Sequence, residues 1–151
     1  AEVIQMRISE GEKLKQDFFD RIDILKSVLT EIEIGLPVEF EKRKTKYKTR
    51  ISELLDNVQL DESRIAQEIA MLAEKADVTE EVVRLKSHFS QFTDMLMDNE
   101  PAGRRLNFLL QEMNREINTI GSKSSSEKNV NHVITMKDEA EKMREQIQNI
   151  L

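Results

Sequence analysis

The sequence predicts an all-α fold, a long antiparallel helical hairpin followed by a bundle of three or four helices. Three observations carry that expectation. The 151 residues include only four Gly and two Pro, too few turn residues for a sandwich or barrel that reverses direction every ten positions or so. The composition leans on Glu, Lys, Gln, Leu, Ile and Met, all good helix formers. Apolar residues also recur in steps of three and four along most of the chain.

Each element follows from that spacing. Leu14, Phe18, Ile22, Leu25, Leu29 and Ile32 form one stripe of a helix that begins before Arg7. Gly35 and Pro37 predict a break, because glycine suits the residue past a helix end and proline the start of the next. A second helix carries Phe40, Tyr47, Ile51, Leu54 and Val58, and the short break makes the pair a hairpin. Asp61 is placed to cap a third helix that buries Ile65, Ile69, Leu72 and Ala76. Asp77-Val78-Thr79-Glu80 reads as a capping box opening a helix with Val82, Leu85, Phe89, Phe92 and Leu96 inside. A loop over 98–103 precedes a helix burying Leu106, Leu109, Leu110, Met113, Ile117 and Ile120. After a Ser-rich weak point at 121–126, Val133, Met136, Ala140, Met143, Ile147 and Ile150 form a heptad seam. The expected division is a hairpin arm over 1–58 and a bundle over 59–151. A start at Ala in mid-helix, with end stripes lacking obvious partners, suggests a fragment of a longer protein.

Composition excludes several functions. There is no glycine-rich nucleotide fingerprint, no Cys for a disulfide, thiolate metal site or nucleophile, no signal peptide, and no apolar run near the roughly 20 residues that span a bilayer. A soluble, cytoplasmic protein without membrane contact is the expectation. Net charge is −6, which disfavours nucleic acid unless charge is segregated. It is segregated. Lys42, Arg43, Lys44, Lys46, Lys48 and Arg50 have no acid among them, whereas 61–98 is acidic. The basic run suits either a phosphate backbone or the solvated face of a hairpin arm.

Polar residues beside the stripes, rather than opposite them, are the informative ones. At roughly 100° per residue, Asp77, Glu81, Arg84 and His88 share one edge of their helix. Arg105, Glu112, Glu116, Thr119 and Lys123 share an edge of the next, Glu68 flanks the third-helix stripe, and Arg7, Glu10, Asp17 and Arg21 flank the first. If these edges converge, carboxylates plus an imidazole suit a hard divalent ion such as Mg²⁺ or Mn²⁺, and the cations beside them suit phosphate. The competing account is interfacial salt bridges without chemistry. His132 is read as incidental.

The run from Gly103 to Lys123, GRRLNFLLQEMNREINTIGSK, resembles the C-terminal signature of the bacterial YicC family. Asp77-Val78-Thr79-Glu80-Glu81 with Arg84-Leu85-Lys86-Ser87-His88 is similar to its second motif, and Arg7, Glu10-Gly11 and Leu14 to a third. The resemblance implies the helical C-terminal half of a divalent-metal-dependent endoribonuclease that assembles into hexamers, its N-terminal α/β half lying outside this sequence. By resemblance, Glu112, Glu116, His88 and Glu81 are catalytic. Arg7, Arg84, Arg104, Arg115, Lys123, Gln111 and Asn114 bind RNA. Glu112, Glu116, Glu81, Asp77, Glu80 and Glu10 are expected to supply the ligands for Mn²⁺ or Mg²⁺, with Glu68 added from its place beside the third-helix stripe. Asn107 and Ser126 stand where the family pattern leads one to expect aspartates, and each removes one possible anionic ligand. Two other functions stay open, an RNA-binding adaptor for another nuclease and a non-catalytic helical scaffold.

Overall fold

The computed structural model describes residues 2–55, 61–98 and 102–150, except for the side chains of Arg7, Ile8 and Ile150. Five helices follow in order: α1 (Glu2–Leu55), α2 (Glu62–Ala76), α3 (Thr79–Met97), α4 (Gly103–Lys123) and α5 (Glu127–Ile150). There is no strand among the described residues.

The core is a four-helix ring in which α1 touches α3 and α5, and α4 completes the circle between them. Lys86 meets Glu33 at 2.6 Å and Phe92 meets Phe18 edge-on at 5.8 Å, so α3 runs antiparallel to α1. The expected stripes fill the centre. Phe18, Ile22, Leu25, Leu29 and Ile32 of α1 join Leu85, Phe89 and Phe92 of α3, Leu110, Met113 and Ile117 of α4, and Met136, Ala140, Met143 and Ile147 of α5 in one buried cluster. The heptad seam of α5 thus finds its partners within this chain; the side chain of Ile150 lies outside the described residues. That shared core crosses the expected 58/59 boundary, since the first half of α1 belongs to the bundle.

The break expected at Gly35 and Pro37 does not occur, and α1 runs unbroken through both. Proline removes one i to i−4 hydrogen bond, but Ile32 before it and Glu39 after it are both buried, so tertiary packing holds the helix across the gap. Gly35 instead permits close approach. A Cβ there would lie 2.8 Å from Asn129 Oδ1 at the start of α5. The hairpin instead pairs the second half of α1 with α2. Val58 lies outside the described residues. Asp61 caps α2 as expected, accepting from Ser63 N and Arg64 N at 3.1 and 3.3 Å. The stripe expected to be buried on α2 is only half-buried at Ile65, Ile69, Leu72 and Ala76. Two helices projecting as an arm cannot enclose a core.

The Ser-rich segment is a tight, well-anchored connection. Buried Glu39 of α1 accepts hydrogen bonds from Ser125 N, Ser126 N, Ser125 Oγ and Asn129 Nδ2. Ser126 Oγ accepts from Asn129 N at 3.1 Å, an N-cap for α5. Gly121 lies inside α4, where an added Cβ would stand 2.9 Å from Val133 Cγ1. Gly121→Ala is expected to lower stability by about 1–2 kcal/mol, overpacking outweighing the gain in helix propensity. Urea denaturation checks this, and an unchanged midpoint would mean that Val133 yields freely.

Candidate functional site

The motif-bearing edges of α3 and α4 face each other. Asp77 sets the start of α3, its Oδ1 accepting from Thr79 N at 2.9 Å. Glu80 does not complete the expected capping box, because its carboxylate turns to Arg84 Nη1 at 3.3 Å. From the last turn of α4, Lys123 Nζ donates to the Asp77 carbonyl at 3.0 Å and to Glu81 Oε1 at 2.9 Å. One turn further along α3, Arg84 Nε donates to Glu116 Oε1 at 2.9 Å. Antiparallel neighbours in that register bring His88 of α3 level with Glu112 of α4. The result is a ladder of rungs along one groove of the bundle.

Its electrostatics are those of paired, partly desolvated ions. Glu81 and Glu116 are 6% and 5% exposed. Burial pushes the Glu81 carboxyl up, but the Lys123 hydrogen bond, its own backbone amide and the charges of Lys123 and Arg84 outweigh it and hold the pKa below the usual range. Hydrogen bonds from Thr79 likewise hold Asp77 down. The Glu116 hydrogen bond raises the Arg84 guanidinium further against a smaller desolvation. Glu112 has a looser contact, 3.6 Å to Arg115 Nη1. His88 Nδ1 is buried without a hydrogen-bond partner.

Not all the expected residues gather here. Among the described residues no group of three or more His, Cys, Asp or Glu is close enough together to hold a metal ion. Glu81 and Glu116 are occupied by cations. Glu68 stands on the arm in a groove with Tyr47, Ile51 and Leu54. Glu10 is exposed on α1, one turn before Leu14, and the Arg7 side chain lies outside the described residues. On α4, Gln111 and Asn114 lie about 140° and 160° around the helix from Glu116, off the ladder. Arg104 is exposed and lines a shallow cleft of 310 Å³ with Gln91, Arg105 and Phe108. Asn107 is half-buried on α4, and Ser126 serves as the α5 cap.

Arg105, expected on the same edge of α4 as Glu112, Glu116 and Lys123, extends that line seven residues before Glu112. One feature escaped the sequence. At the other end, a 570 Å³ cavity is lined by Phe40 and Arg43 of α1, Val78, Thr79 and Val82, with Asp77 and Lys123 shared with the ladder. Only a continuous α1 brings Phe40 and Arg43 there.

The fold and this groove define a class, an up-and-down helical bundle with a two-helix arm and an inter-helix ladder of acidic and basic side chains. The chain belongs to the family described as Endoribonuclease YicC-like, C-terminal, which it matches over residues 32–151. It is 49% identical over 147 residues to the Probable endoribonuclease YicC of Clostridioides difficile (strain 630), covering 97% of this chain and 50% of that protein. Identity is 35% over 147 residues to the Probable endoribonuclease YicC of Haemophilus influenzae, with the same coverage of 97% and 50%. The chain therefore spans about half the length of these curated relatives. No helix among the described residues is long and apolar enough to cross a membrane.

Proposed function

We propose that the protein is the helical portion of an endoribonuclease and that its α3–α4 groove meets the scissile phosphodiester of RNA. The observation that carries this reading is the convergence of the two motif faces, Glu81 on Lys123 and Arg84 on Glu116, in a chain of this family. Glu81 and Glu116 hold Lys123 and the Arg84 Nε in place. A phosphate oxygen takes a remaining N–H of the Lys123 ammonium and displaces exposed Glu80 from the planar fork of Arg84.

A divalent ion fits Glu112 and His88 better than the wider ligand set. Glu112 is loosely engaged and His88 Nδ1 lacks a partner, while Mg²⁺ commonly takes one or two carboxylates and completes its shell with water and substrate phosphate. When bound, Mn²⁺ or Mg²⁺ supplies Lewis-acid stabilisation of the phosphoryl oxygens and a more acidic water. An oxygen nucleophile adds to phosphorus, the bond to the leaving oxygen breaks, and His88 exchanges a proton with one of them. Arg105 and Arg104 extend the cationic path along α4. A homo-oligomer, the hexamer implied by the resemblance, and a cytoplasmic setting complete the proposal.

Glu112→Gln in the intact protein is expected to reduce RNA cleavage in Mn²⁺ by about a hundredfold or more. Because Glu112 makes no close ion pair, its melting should stay within about 0.5 kcal/mol of the unaltered protein. Undiminished cleavage removes Glu112 from the reaction. RNA binding by the purified, unaltered protein without any turnover would assign it an adaptor role instead.

A further inference from the structure

We infer that the second half of α1 is a separate RNA-binding surface, a track for the sugar–phosphate backbone that leads to the α3–α4 groove. The inference rests on the reading of the protein as one that acts on RNA, and it adds a site outside the motifs.

The first argument is charge. Residues 42–50 carry six cations and no acid in a chain of net charge −6, so the remainder is twice as acidic as the whole. A polyanion is repelled by the acidic remainder and attracted by this segment. The second argument is availability. In the bundle, Arg21, Arg84, Lys86, Lys123 and Arg144 are each within 3.0 Å of a carboxylate, while the described cations without one, such as Lys26, Arg104 and Lys137, are not gathered in an acid-free run. Among the described residues none of the six arm cations has a carboxylate partner. Unpaired cations hold mobile counterions, and their release drives binding to nucleic acid.

Placement supplies the third. Lys42, Lys46 and Arg50 are exposed and recur every fourth residue, so they form a row on one face with about 6 Å of axial rise between members. Lys44 and Lys48 border the opposite groove against Glu62, Ile65, Ala66 and Ile69 of α2. Glu41 is the one acid lining the cleft that holds Lys42 and Lys46. At the bundle end, Arg43 lines the 570 Å³ cavity to which Lys123 also belongs, beside Glu33, Glu39 and Asp77. Two of these acids are already engaged, Glu33 with Lys86 and Glu39 with Ser125, Ser126 and Asn129. The cationic path therefore runs from Arg50 down the arm, past Arg43, to the first rung of the ladder. Such a surface reads no base sequence; it binds backbone and orients the strand.

The test uses the intact protein carrying Lys42→Gln, Lys46→Gln and Arg50→Gln together, with a fluorescently labelled single-stranded oligoribonucleotide titrated at several KCl concentrations. The expected result is at least a tenfold loss of affinity at low salt. The slope of log K against log salt should become shallower by about 2, since each phosphate contact on a single strand contributes roughly 0.7. KM for cleavage should rise by a similar factor. Lys42→Arg with Lys46→Arg, which keeps charge, should retain the original slope. Equal affinity and slope in the triple variant overturn the inference, and if the unaltered protein still cleaves RNA, the nuclease reading survives that failure. A change in sedimenting mass with RNA affinity untouched also overturns it, and assigns the arm to contact between copies. If the unaltered protein neither binds nor cleaves RNA, both readings fall together.

Discussion

Glu39→Ala is expected to destabilise the protein by about 3–4 kcal/mol. The carboxylate is 8% exposed and accepts from Ser125 N, Ser126 N, Ser125 Oγ and Asn129 Nδ2. Removing it strands those donors around a site that water enters only partly, at about 1–3 kcal/mol for each one left unsatisfied, with some recovery at Ser125, which is exposed. It also removes a negative charge from the amino end of α5, a favourable position in the helix dipole. Glu39→Gln should fall between, because one acceptor oxygen survives without the charge. Desolvation pushes the Glu39 carboxyl up, but the hydrogen bonds from Asn129, Ser125 and Ser126 outweigh it and hold the pKa below the ordinary glutamate value. The sign follows from that direction. The contribution is fully present above the ordinary pKa and is lost as pH falls through the lower, folded one. The gap between unaltered and Ala proteins in urea denaturation should therefore be widest near neutrality and narrow on acidification. A loss below about 1 kcal/mol, or a gap that widens in acid, would contradict this account of the α4–α5 junction.

That junction also marks the limit of what sequence reading reaches. Helix stripes were legible because each is a local pattern: the spacing of Leu14 to Ile32, or of Val133 to Ile147, reports burial without knowledge of the partner. Asp61 was legible as a cap for the same reason, acting two and three residues ahead of itself. Glu39 was not, since it caps a helix that begins 88 residues later and nothing near it announces the role. Gly35 and Pro37 misled because their local preference is for a break, whereas the packing of Ile32, Leu36, Glu39 and Phe40 acts on both sides of them and overrides it. At the candidate site, the wheel placed Glu81, Arg84 and His88 on one edge and Glu112, Glu116 and Lys123 on another. The register that joins them, and the pairing that occupies Glu81 and Glu116 with cations, depend on how two helices dock.

Lys123→Met provides the second large effect and separates structure from chemistry at the ladder. It leaves Glu81, with a side chain 8% exposed, without its 2.9 Å partner; Arg84 remains at 4.0 Å. Breaking a fully buried pair costs about 3–5 kcal/mol, and the 30% exposure of Lys123 together with the residual Arg84 contact reduces the expected loss to about 2–3 kcal/mol. The depressed pKa of Glu81 contributes stability above the ordinary glutamate range and loses it as pH falls through the folded value. The penalty of Lys123→Met should accordingly shrink in acid, as the stranded carboxylate takes a proton. Adding Glu81→Gln removes the stranded charge, so the double variant should return to within about 1 kcal/mol of the unaltered protein. RNA cleavage should not return with it. A neutral amide and a thioether can fill the space between α3 and α4, but they cannot hold a phosphate oxygen against the first rung. Recovery of stability without activity ties the Lys123–Glu81 rung to the reaction; recovery of both would reduce the rung to packing and move the reaction away from this groove.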